Sequence, residues 1–256
     1  MMRVVKIGGR TQADPRLINT LREVWNLAPG DLCVVHGGGD EVSAMQSALG
    51  REPVFIGGRR LTSEEDLELL RMVLSGAVNK RVVNAMVAAG LPAVGLSGED
   101  GGLIGAELID AAALGFAGQP VAIKADLLCT LLNAGYLPVI SPVGYNAGSE
   151  NGGPLNVNGD DAAAAIAAAL EADELILIAD VEGVLDGEGE LVSSLSTEAA
   201  REMAANGIAV GGMAAKLESA EAALIAGVAS VRICDLAGLS DRERGTFITQ
   251  SQSVVL

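Results

Sequence analysis
The chain has 256 residues, half of them apolar, enough for the core of one large α/β domain or two small ones. Aromatics are only 2%, so that core has to be built from Val, Leu, Ile and Ala, and the 33 glycines gather at the ends of apolar runs without a Gly-X-Y period. A formal net charge of −16 with no basic stripe argues against nucleic acid as a partner, and no signal-peptide pattern or membrane-length apolar stretch is present, so a soluble cytoplasmic protein is expected.

The first apolar run, 4–7, predicts a strand, and it contains Lys6 shortly before Gly8 and Gly9. Residues 15–27 predict a helix with Asp14 as its N-cap and Pro15 in the first position. A second strand, 32–35, ends in His36-Gly37-Gly38-Gly39, and a helix over 41–49 stops at Gly50. Residues 53–61 predict a small hairpin around Gly57-Gly58. Thr62 and Glu65 have the capping-box spacing, and Leu67, Leu70, Val73 and Leu74 continue a helix that Gly76 is expected to break before a second helix over 78–89. Strands follow at 93–96, near Leu108, near Val121 and at 138–140, with a helix at 127–134. Residues 143–158 are rich in Asn and Gly and predict a long functional loop. The remainder predicts helices at 160–170, 196–206 and 214–226 and strands at 175–178 and 228–233. Cys33, Cys129 and Cys234 are far apart and lack metal-ligand spacing, and Cys33 and Cys234 fit buried, inert thiols.

Strands alternating with helices imply crossover connections, hence a mostly parallel, open central sheet covered on both faces, a three-layer α/β/α sandwich. Ligands in such sheets sit at the carboxyl ends of the strands, where the Gly and Asp clusters of this chain fall. Four segments stand out. Lys6 in an apolar strand invites an anion, although a side chain that snorkels to water explains it about as well. Three glycines at 37–39 exceed what a turn needs and allow close approach of a ligand to backbone N–H groups. Asn156 and Asn158 alternate along an extended segment before Asp160 and Asp161, either of which could also serve the helix dipole. Lys216 sits in the first turns of a helix after Gly211-Gly212-Met213, where a cation opposes that dipole. The Walker A spacing and the dinucleotide fingerprint are both absent.

In order along nearly the whole chain, these segments resemble the amino acid kinase family. The resemblance rests on Val5-Lys6-Ile7-Gly8-Gly9, His36-Gly37-Gly38-Gly39, Gly58-Arg59-Arg60-Leu61-Thr62 and Val78-Asn79-Lys80. It continues through Leu96-Ser97-Gly98-Glu99-Asp100-Gly101, Gly135-Tyr136-Leu137-Pro138, Asn156-Val157-Asn158-Gly159-Asp160, Asp180-Val181-Glu182-Gly183-Val184-Leu185 and Gly212-Met213-Ala214-Ala215-Lys216. Within the family it points to the branch that phosphorylates the side-chain carboxylate of N-acetyl-L-glutamate, the second step of arginine synthesis. Arg10, Gly159 and Ala214-Ala215 depart from the expected pattern.

The resemblance implies an acceptor-binding half over 1–175 and an ATP-binding half over 176–256. It casts Lys6 and Lys216 as stabilisers of the transferring phosphoryl group and Asp160 as the carboxylate that holds both. Gly38, Gly39, Arg60 and Asn156 would bind the acceptor, Arg60 through its α-carboxylate. Gly8, Gly9, Asp180, Val181, Glu182, Gly183, Val184, Leu185, Gly211, Gly212 and Met213 would line the nucleotide site, with Mg2+ held mainly by phosphates and no metal site of the protein's own. An acceptor carboxylate is already ionised at neutral pH, so His36 is not needed as a base. No helix precedes the first strand, which implies the arginine-insensitive, homodimeric type, with 67–86 as the face for a second copy. The alternatives are a kinase of carrier-linked aminoadipate in lysine synthesis and a non-catalytic sensing domain, which would be expected to lose the lysines and Asp160.

Overall fold
Strand β1 (Arg3–Ile7) is buried along its whole length, and it lies inside an eight-stranded sheet. The computed structural model describes residues 1–250, so the last six residues of the expected ATP-binding half lie outside the described residues. After β1 come α1 (Leu17–Leu27), β2 (Leu32–His36), α2 (Gly39–Ala48) and the hairpin β3 (Phe55–Ile56) and β4 (Arg59–Arg60). Helices α3 (Glu64–Arg71) and α4 (Asn79–Ala88) precede β5 (Ala93–Ser97), β6 (Ile104–Leu108), α5 (Ala111–Leu114), β7 (Ala117–Ile123) and α6 (Asp126–Asn133). Then follow β8 (Leu137–Ser141), β9 (Val143–Asn146), β10 (Pro154–Val157), α7 (Gly159–Ala169), β11 (Glu174–Ile178), β12 (Ser194–Ser196), α8 (Thr197–Ala205), α9 (Gly212–Ile225), β13 (Val231–Cys234) and β14 (Thr246–Thr249).

The sheet order is β12-β14-β13-β11-β1-β2-β8-β5, and every neighbouring pair is parallel except β13 with β14. Side chains alternate between its faces. Val4, Cys33, Val35, Leu175 and Leu177 join one core with Ile166 of α7 and Leu217 of α9. Val5, Ile7, Val34, Ile176 and Ile178 join the other with Leu21 of α1, Leu70 of α3 and Val82 of α4. The expected three-layer α/β/α sandwich with a mostly parallel open sheet is therefore the observed one. No helix among the described residues is long and apolar enough to cross a membrane.

Several local expectations are corrected. Helix α1 begins at Leu17, because Asp14 is engaged in a turn, accepting from the Arg16 backbone N–H at 2.8 Å and from Arg16 Nε at 3.0 Å. The N-cap of α3 is Ser63, whose Oγ accepts from the Asp66 backbone N–H at 3.1 Å, and Thr62 is wholly buried instead. Gly76 breaks nothing: a π-helical stretch, Met72–Val78, joins α3 and α4 into one rod. The long loop expected over 143–158 contains β9 and β10, which close a four-stranded barrel with β6 and β7. Glycine misled the reading there. A Cβ on Gly144 would lie 2.9 Å from the Ile104 carbonyl oxygen, so that residue serves close strand packing rather than a loop. The structure adds strands β12 and β14 and helix α5, of three, four and four residues, which the sequence pattern does not mark.

Candidate active site
The carboxyl ends of β1 and β2 and the N-termini of α7 and α9 converge on one buried carboxylate. Lys6 shares a face of β1 with Val4 and so points towards α7. Asn158 caps α7, its Oδ1 accepting from the Asp160 backbone N–H at 2.7 Å, which aims Asp160 back at the strand end. Lys6 Nζ lies 2.9 Å from Asp160 Oδ1, and Lys216 Nζ donates to both Asp160 oxygens at 3.1 Å. Lys6 and Asp160 are both buried, at 8% and 5% exposure. Burial opposes ionisation of Asp160, but the two ammonium charges outweigh it and hold its carboxyl below the ordinary range. Burial and then the charge of Lys6 push Lys216 down to about 8, against the pull of Asp160. Two ammonium groups share one carboxylate, which leaves one positive charge in excess, and a buried excess charge calls for an anionic partner.

Two cavities adjoin this triad. The first, of about 140 Å³, is lined by Gly37, Gly38, Gly39, Val42, Phe55, Arg60, Leu70, Leu74, Asn156 and Gly159 among others. A Cβ on Gly38 would lie 2.6 Å from Leu74 Cδ2, so the glycine lets this loop pack directly against the α3–α4 rod. Arg60 is pinned by Gln46 Oε1, by the Gly39 carbonyl at 2.9 Å and by Ser43 Oγ at 2.8 Å, with the Phe55 ring 4.7 Å from its guanidinium. Asn156 Nδ2 donates to Thr62 Oγ1 at 2.8 Å. The second cavity, of about 520 Å³, is lined by Gly8, Gly9, Arg10, Asp40, Ile178, Ala179, Asp180, Val181, Gly212, Met213 and Lys216. The two meet at the paired glycine loops, where a Cβ on Gly9 would be 3.7 Å from the Gly38 Cα.

Lys6, Asp160 and Lys216 are thus brought together, as are Gly38, Gly39, Arg60 and Asn156 around the smaller cavity. Gly8, Gly9, Asp180, Val181, Gly212 and Met213 line the larger one. Glu182, Gly183, Val184, Leu185 and Gly211 do not. Glu182 pairs with Arg244 at 3.0 Å, Gly183 packs on Thr246, and Val184 is buried with its N–H bonded to Thr246 Oγ1. Leu185 bridges to Leu191, and Gly211 is the N-cap of α9 with φ +54°. Sequence reasoning missed the groups that orient Arg60. Ser43 and Gln46 are three residues apart on α2, a spacing that places them on one face but carries no chemical signature. His36 is wholly buried: Nδ1 donates to the Gly37 carbonyl at 2.8 Å, and Nε2 accepts from Asn79 Nδ2 at 3.1 Å. Burial holds its pKa at about 4, so the ring is neutral and braces the glycine loop.

Residues 1–235 match the amino acid kinase family model. The chain is 42% identical over 258 positions to the acetylglutamate kinase of Methanopyrus kandleri, spanning 96% of this chain and 100% of that one. Among solved structures it is similar to smu.665 from Streptococcus mutans UA159, with a TM-score of 0.86 and 28% identity over 97% of this chain and 98% of that one. It is also similar to the N-acetylglutamate synthase of Neisseria gonorrhoeae complexed with coenzyme A and N-acetyl-glutamate. That match has a TM-score of 0.82 and 26% identity over 98% of this chain and 59% of that one.

Proposed function
The chain belongs to the amino acid kinase family, and from that premise we propose that it acts as an acetylglutamate kinase, moving the γ-phosphoryl group of ATP to the side-chain carboxylate of N-acetyl-L-glutamate. The product is an acyl phosphate, which would serve arginine synthesis. The observation that carries the proposal is the Lys6–Asp160–Lys216 cluster between two cavities. The 42% identity to a kinase of that name over the length of both chains supports the choice of acceptor.

A Glu-like carboxylate has a pKa near ~4.3 and attacks without a general base. Catalysis then rests on positioning and on neutralising charge around the transferring group. Lys6 reaches that group from β1 and Lys216 from α9, and Asp160 keeps the two cations apart from solvent and aimed at one point. Arg60, already oriented by Gln46 and Ser43, offers its remaining N–H groups to the α-carboxylate of the acceptor. The apolar side chains of Val42, Leu70 and Leu74 shape the rest of that cavity. Gly8, Gly9 and Gly212 present backbone to the phosphates, and Asp180, Val181 and Met213 line the nucleotide's path. A Mg2+ ion would be carried mainly on phosphate oxygens and water, where it would neutralise charge. A cytoplasmic homodimer is part of the same proposal. Within the stretch 67–86, Met72, 63% exposed, is its candidate contact side chain, whereas Leu70, Val73, Val82 and Met86 are buried in the protomer's own core.

A hydroxamate assay for acyl phosphate tests the function. With ATP and Mg2+, turnover is expected with N-acetyl-L-glutamate and not with glutamate, N-acetylaspartate or a carrier-linked aminoadipate. Turnover confined to the carrier-linked acceptor would contradict the acceptor assignment. No turnover with any acceptor would contradict catalysis itself.

A further inference from the structure
The loop between β1 and α1 carries a cation that the mechanism above leaves unused. Arg10 follows the glycine pair directly and lines the larger cavity together with Gly8, Gly9 and Lys216. Its guanidinium spans the mouth of that cavity. Nε lies 3.6 Å from Asp40 Oδ2 at the start of α2, and Nη1 donates to Asp180 Oδ2 at 3.3 Å after the end of β11. Both contacts are longer than a strong charge-assisted hydrogen bond, and the Arg10 side chain is 75% exposed. Exposed ion pairs of this kind contribute little and exchange readily for a better anion.

The charge inventory of the site supplies such an anion. Lys6 and Lys216 together exceed Asp160 by one positive charge. A nucleoside triphosphate brings several negative charges, only partly neutralised by its divalent ion, and the acceptor brings another carboxylate. The buried triad is therefore short of cations, while one exposed cation, paired with Asp40 and Asp180, stands in the lining of the larger cavity. No side chain at Gly8 or Gly9 stands between the two. Resting on Proposed function for the presence of a triphosphate, we infer that Arg10 is a third phosphate-binding cation. It is tethered by Asp40 and Asp180 and swings onto the terminal phosphates when ATP enters. Guanidinium suits this task better than ammonium, because its fork matches two phosphate oxygens at once.

The test is equilibrium binding of ATP, ADP and AMP to the full chain and to its Arg10→Ala and Arg10→Lys variants, with Mg2+ and no acceptor. The expected result is a loss of roughly tenfold or more in ATP affinity for Arg10→Ala, the scale of one charged hydrogen-bond contact. A smaller loss is expected for ADP and none for AMP, with partial recovery in Arg10→Lys. Equal affinities in wild type and Arg10→Ala would overturn the inference. So would equal losses for all three nucleotides, the mark of a merely reshaped cavity. Because no acceptor is present, these outcomes do not depend on which carboxylate is phosphorylated. A wild-type chain that binds none of the nucleotides would instead overturn the phosphotransfer reading, and this inference with it.

Discussion

Lys216 is expected to set the upper pH limit of activity. Its ammonium is buried beside that of Lys6, and the two together with burial bring its pKa to about 8. The protonated form is the one that can meet a phosphoryl group. In the free enzyme its fraction falls as pH rises through that value, so kcat/KM should drop roughly fivefold between pH 8 and pH 9. A profile that stays flat over that interval would separate Lys216 from the rate. Arg60 belongs to the same scale. Its fork is held by Gln46, Ser43 and the Gly39 carbonyl, and a lysine cannot reproduce that geometry. Arg60→Lys should raise KM for the acceptor about tenfold while leaving KM for ATP near its wild-type value; a rise for ATP instead would place Arg60 on the wrong cavity. The residues that a reader of the chain can find are those whose chemistry is conspicuous against their surroundings. Lys6 is a charge in an apolar run, and Lys216 is a cation at a helix start. Ser43, Gln46 and Phe55 look ordinary in sequence, and only the fold shows that they hold Arg60.

At the scale of elements, the end of β2 is tied to α4 through His36 and Asn79. Asn79 Nδ2 donates to His36 Nε2, and also to the Val139 carbonyl of β8 at 2.9 Å, so one amide joins two strands to the helix. Burial lowers the pKa of His36 from 6.5 to about 4. Between those values the unfolded chain binds a proton that the folded chain refuses, so stability is full above about pH 6.5 and declines as pH falls towards 4. The loss from this one group reaches about 3 kcal/mol at the lower end. Thermal unfolding followed across that range should show the decline, and His36→Gln should flatten it; an identical slope in the variant would assign the loss elsewhere. The elements also show where sequence signals succeed. Buried strands such as β1, β2 and β11 announce themselves as continuous apolar runs, because parallel strands covered on both faces have no polar side. The small barrel stayed hidden because its strands approach so closely that they need glycine, and glycine in an Asn-rich stretch reads as loop. Helix starts were displaced by side chains already engaged elsewhere, Asp14 with Arg16 and Thr62 with Asn156.

At the scale of the whole molecule, 33 acidic residues face 17 basic ones, and the lysines are confined to Lys6, Lys80, Lys124 and Lys216. Two of the four are committed to the site, and Lys80 is spent on Asn79 and the Gly95 carbonyl. The surface is thus strongly self-repelling, which destabilises the compact state at low ionic strength. Salt shortens the reach of that repulsion, from a Debye length of about 10 Å at 0.1 M to about 3 Å at 1 M. The unfolding midpoint should therefore rise with added KCl over that range, and a midpoint that stays level or falls would show that the acidic surface is inconsequential for folding. The same excess of negative charge makes the buried cationic cluster a local exception, and that exception is the core of the functional account. The most direct test is kcat for acyl phosphate formation by Lys6→Ala and by Lys216→Ala, with N-acetyl-L-glutamate and ATP saturating. Loss of one charge contact to the transferring group should lower kcat by on the order of 10² or more in each variant. Retention of wild-type kcat in both would contradict the claim that these two lysines, held by Asp160, drive the transfer.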